Sequence, residues 1–120
     1  MNRAEFILAL SKTASDEKKV EAIQQIYGKN LPSDVQKVIS FDSRGTFLDG
    51  DHFCRLLSFD EISKASEELH VDFVRHCIVP LFDIGDNDFI VFDLQKSCWE
   101  KFNIVDEVSY GEKESVSEII

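Results

Sequence analysis

Residues 80–94 read PLFDIGDNDFIVFDL, two strongly apolar runs that meet at the polar stretch Gly85-Asp86-Asn87-Asp88. Val79, Leu81, Phe82 and Ile84 lead in, and Phe89, Ile90, Val91, Phe92 and Leu94 lead out, the pattern of a β-hairpin. Both faces of each strand are apolar, so the hairpin is expected at the centre of a sheet with other elements packed over it. After a short turn at Gln95-Lys96-Ser97, residues 98–105 carry Trp99, Phe102 and Ile104 and predict a third strand, which makes a meander.

Helical spacing dominates the first third of the chain. Phe6, Ile7 and Leu10 predict a short opening helix. Val20, Ile23, Ile26 and Tyr27 predict a second, with Ser15 as its cap and Gly28 as its stop. Leu31-Pro32 opens a third, where Ser33 and Gln36 have capping-box spacing and Val35, Val38 and Ile39 share a face. From Thr46 to Leu57 the apolar positions predict one or two strands around the loop at residues 49–51. Ser58-Phe59-Asp60-Glu61 is the sharpest local signal, a capping box with Leu57 and Ile62 placed as a hydrophobic staple, and the helix it starts is expected to run to about Leu69. The tail beyond Gly111, EKESVSEII, is expected to make one or two helical turns.

A chain of 120 residues with seven Gly and Pro in total, 43% hydrophobic and 30% charged, has the composition of one ordered domain. At this length folding buries roughly 65% of the unfolded surface, enough for a single core. Neither a secretory leader nor a membrane span is expected. The first apolar run stops at Leu10, and no run reaches the roughly 18 residues a spanning helix needs. A cytoplasmic location is therefore expected, with Cys54, Cys77 and Cys98 reduced and serving as small packing residues.

The formal charge of −10 is unevenly distributed. Residues 1–40 hold five acids and six bases, residues 41–80 eight and four, and residues 81–120 ten and three. Such a field disfavours nucleic acid and anionic membranes and attracts a basic protein partner.

Asp83, Asp86, Asp88 and Asp93 raise the question of a hard-cation site, but the spacing fails the EF-hand test. Counted from Asp83, the sixth position is Asp88 where Gly is required, and the twelfth is Leu94 where Glu is required. Two other readings remain: a turn whose Asp and Asn side chains bond their own backbone, or an acidic tip that meets a partner. His52, Cys54, His76 and Cys77 lack zinc-ligand spacing, and no glycine-rich loop is present to serve a nucleophile or a phosphate. No metal, cofactor or catalytic residue is expected. Trp99, beside Glu100 and followed by Asp106 and Glu107, reads either as a core aromatic or as an interface anchor among carboxylates.

The order of these pieces resembles the SUKH superfamily, which includes the yeast cell-wall synthesis regulator and many bacterial immunity proteins encoded beside secreted toxins. The resemblance rests on Leu31-Pro32-Ser33-Asp34, on Leu56-Leu57-Ser58-Phe59-Asp60-Glu61-Ile62 and on residues 80–94, and it covers about residues 20–105. It implies an α+β fold, a mixed and mainly antiparallel sheet with helices packed mostly on one face, spanning residues 1–120 as one domain. It also implies a non-enzymatic immunity protein that neutralises a basic toxin domain, a nuclease in the expected case. Asp83, Asp86, Asp88, Asp93, Trp99, Glu100, Asp106 and Glu107 are the expected contact residues, with carboxylates standing in for phosphates. The alternative is an intracellular regulatory or scaffold protein that binds an endogenous partner.

Overall fold

The computed structural model describes residues 1–41, 46, 48 and 53–120. Along the chain run α1 (Arg3–Ser11), α2 (Glu17–Tyr27), α3 (Ser33–Ser40), β1 (Arg55–Leu56), α4 (Phe59–Ser63), α5 (Ala65–Leu69), α6 (Phe73–His76), β2 (Ile78–Gly85), β3 (Asp88–Asp93), β4 (Cys98–Asn103), β5 (Val108–Lys113) and α7 (Val116–Ile119). The fold is α+β. Among the described residues five strands form one antiparallel sheet in the order β1-β2-β3-β4-β5, so the predicted hairpin is β2 and β3 and lies at the sheet's centre.

That hairpin is buried on both faces, as its unbroken apolar runs require. Val79, Leu81, Phe82, Ile90, Val91 and Phe92 are all buried. Register separates the two faces. Phe82, Phe92 and Trp99 point one way, where Phe82 meets Phe6 of α1 edge to face at 5.9 Å and Trp99 meets Phe92 at 5.3 Å. Phe89, Glu100 and Phe102 point the other way, where Phe102 packs on Phe73 of α6 at 5.9 Å between ring centroids. The Tyr27 hydroxyl donates to the Ile78 carbonyl at 2.8 Å and ties the end of α2 to the start of the sheet.

Several local expectations need correction. The α2 cap is Asp16 rather than Ser15, because the Asp16 carboxylate accepts from the amides of Lys18 and Lys19. Ser33 is already inside α3, with extended Pro32 before it. It therefore cannot cap, and Gln36 instead donates to the Leu31 carbonyl. The helix begun by Ser58 does not run unbroken to Leu69. It is interrupted at Lys64, where the preceding Ser63 hydroxyl bonds back to the Asp60 carbonyl. Among the described residues of the segment 46–57, one short strand forms, β1. Phe47, the loop at 49–51 and His52 lie outside the described residues. The strand expected over 98–105 stops at Asn103, because residues 104–107 are spent on a turn into β5, which the apolar pattern did not predict. The capping box at Ser58 and Glu61, the left-handed Gly28 that ends α2, and the helical turn in the tail are all present.

Candidate protein-binding surface

Two turns meet at one end of the sheet. The β2–β3 loop has Asp86 and Asn87 at φ 55° and 66°, a geometry that short polar side chains tolerate and that matches the twist of a tight hairpin. Beside it the β4–β5 loop is shaped by Asn103, whose side-chain oxygen accepts from the amides of Val105 and Asp106 at 3.0 and 2.9 Å. The Ile104 amide donates to the Asn87 carbonyl at 2.9 Å, which fastens one loop to the other. Asp88 reinforces the joint, accepting from Asn103 Nδ2 and from the Tyr110 hydroxyl, both at 2.9 Å. Burial and that bond to the carboxylate push the Tyr110 phenol above its usual range.

What this joint exposes is both apolar and acidic. Val105 and Val108 are 69% and 55% exposed, and Tyr110 is also open. Asp86, Asp106 and Glu107 stand exposed beside them. Glu107, itself at φ 54°, receives His76 Nε2 at 3.0 Å, so α6 is tethered to the same end. Apolar anchors surrounded by charge are the usual anatomy of a protein contact.

The other expected contact residues lie elsewhere. Asp83 faces Arg55 at 3.7 Å and accepts from the Gly85 amide. Asp93 is buried at the opposite end of the sheet, where its carboxylate accepts from the amides of Gln95 and Lys96. Trp99 is fully buried, and its indole nitrogen donates to Asp34 at 2.9 Å. Glu100 is also fully buried and is neutralised by Lys96 at 2.9 Å. Of the eight expected residues, the structure brings Asp86, Asp88, Asp106 and Glu107 together, and it removes Asp93, Trp99 and Glu100 from the surface. Sequence reasoning missed Val105, Val108 and Tyr110, because an exposed apolar residue looks like a core residue until the sheet assigns it a face.

No helix among the described residues is long and apolar enough to cross a membrane. Comparison with protein-family models, curated proteins and solved structures finds no match.

Proposed function

We propose that this chain is a cytosolic, bacterial immunity protein of the SUKH type, which acts by binding a cognate toxin domain and turns over no substrate. The observation that carries this reading is the joined pair of turns, which sets Asp86, Asp106 and Glu107 beside exposed Val105 and Val108. A nuclease cleft shaped for a phosphate backbone is lined with Arg and Lys. Carboxylates at this tip would occupy the phosphate positions through charge-assisted hydrogen bonds while the valines exclude water. The acid excess of the C-terminal two-thirds extends the attraction beyond contact range and speeds encounter.

The test is the triple variant Asp86→Asn, Asp106→Asn and Glu107→Gln, with association to the product of a toxin gene located beside this one measured at low and high salt; absence of such a gene would favour the scaffold reading. Association is expected to slow by about tenfold or more at low salt, and the salt slope to flatten. An unchanged rate and slope would remove the acidic tip from the mechanism. Capture of an endogenous regulatory protein in place of a toxin would favour the scaffold reading.

A further inference from the structure

We propose that Cys98, Glu100 and Glu112 form a binding site for a thiophilic divalent cation of the zinc class, with Lys96 as the displaceable occupant of the same space. Each of the three residues offers one ligand atom, and those atoms all lie within 4.8 Å of one another. Cys98 and Glu100 are two apart on β4 and so share a face, and the Cys98 thiol donates to Glu100 Oε1 at 3.5 Å. Glu112 arrives from β5. That strand carries one extra residue between the pairs Trp99↔Lys113 and Lys101↔Tyr110, with Gly111 at φ 68° absorbing the bulge.

A second observation points to a ligand. Glu100 is 0% exposed, yet its Oε2 has no hydrogen-bond partner, while Oε1 of the same carboxylate is turned to Cys98 and Lys96. A buried carboxylate oxygen left in this way is costly, and a cation drawn against the Glu100 carboxylate would offset that cost. The position is already a cation position, since Lys96 Nζ lies 2.9 Å from Glu100 and 3.1 Å from Glu112. Lys96 is 54% exposed on the β3–β4 turn and can swing into solvent, whereas Glu100 cannot move without uncovering the core.

The donor set selects the metal. One sulfur with two carboxylates suits zinc or its soft congener cadmium, whereas calcium and magnesium take oxygen alone. On binding, the Cys98 S–H bond breaks, a metal–sulfur bond forms, the proton leaves to solvent and the ammonium withdraws. The cluster keeps its net charge, because two carboxylates balanced against one ammonium become three anions balanced against a divalent ion. Tetrahedral zinc requires ligand atoms roughly 3.5 Å apart, a contraction that the exposed Glu112 side chain can supply.

Cadmium titration of the full chain tests this by following the ultraviolet thiolate-to-cadmium charge-transfer band, with zinc as competitor. The band is expected in the wild type, zinc is expected to bleach it, and Cys98→Ser is expected to abolish it. Glu112→Gln, an exposed and fold-neutral change, is expected to weaken binding by about tenfold. Lys96→Met is expected to tighten binding by about tenfold, through loss of the competing charge. Absence of the band would overturn the site, as would its survival in Cys98→Ser, which would assign the signal to Cys54 or Cys77. Unaltered affinity in Glu112→Gln overturns the ligand set even if Lys96→Met fails to fold.

Discussion

Trp99 and Asp34 are 65 positions apart, yet the indole N–H donates to the Asp34 carboxylate at 2.9 Å beneath a sheet that excludes water from the ring. An aromatic beside a glutamate in sequence suits a surface anchor as well as a core residue, and nothing local chooses between them. The choice is made by α3, whose first turn brings Asp34 within reach. Trp99→Phe keeps an aromatic ring against Phe92 but leaves Asp34 Oδ2 without the indole donor, while Oδ1 still accepts from the Val35 amide, and about 1–3 kcal/mol of stability is expected to be lost. Urea unfolding would measure it. The cycle with Asp34→Asn separates the hydrogen bond from the packing, and a coupling near zero would show that the bond contributes nothing. Glu100 carries the same lesson, because its neighbour Trp99 faces one helix layer while its own carboxylate is sealed on the other side of the strand.

At the level of elements, the start of α4 was legible because all its parts are adjacent in sequence. The Ser58 hydroxyl accepts from the Glu61 amide, and Glu61 Oε1 accepts from the Ser58 amide at 2.9 Å. Less legible was the use of the same carboxylate by β1, where Arg55 grips it bidentately at 2.8 and 2.9 Å. The hydrogen bonds from Arg55, ahead of those from Ser58, hold the Glu61 carboxyl well below its usual 4.5, down to about 2. The folded-state value is the lower one, so the contribution is complete above about 4.5 and is lost as pH falls toward about 2. Glu61→Gln is expected to flatten the stability profile across that window, as read by thermal unfolding at stepped pH. A profile as steep as the wild type would show that other carboxylates carry the acid sensitivity. Because the pair is partly exposed, its net worth at neutral pH is on the order of 1 kcal/mol. The elements missed from sequence, β5 and α6, fail for one reason each. β5 buries none of its residues, so it shows no alternation, and α6 has only four residues, too few for a helical period.

The molecule carries its charge excess on the C-terminal two-thirds, and the ion pairs among the described residues leave that excess in place, since each cancels one acid with one base. Repulsion among the remaining acids opposes the compact state, and salt screens repulsion over distances of about 10 Å at 0.1 M. Raising sodium chloride at neutral pH is therefore expected to raise the thermal midpoint by roughly 2–4 °C while it weakens association with a basic partner. A midpoint that falls with salt would mean that local ion pairs outweigh the net charge. These opposite responses separate folding from binding in one set of buffers.

The amino-acid order alone determined the α+β class, the central hairpin, the capped start of α4 and the acidic character of the C-terminal two-thirds. Each of those depends on neighbours within a few positions or on simple counts. Which acids reach a partner was decided only by tertiary structure. Exposure depends on the strand that lies alongside and the helix that lies above, as Asp86 and Asp106 at the joined turns differ from Asp93 and Glu100 beneath the fold. The meeting of Cys98, Glu100 and Glu112 likewise requires a bulged strand paired in register, and no spacing along the chain records that.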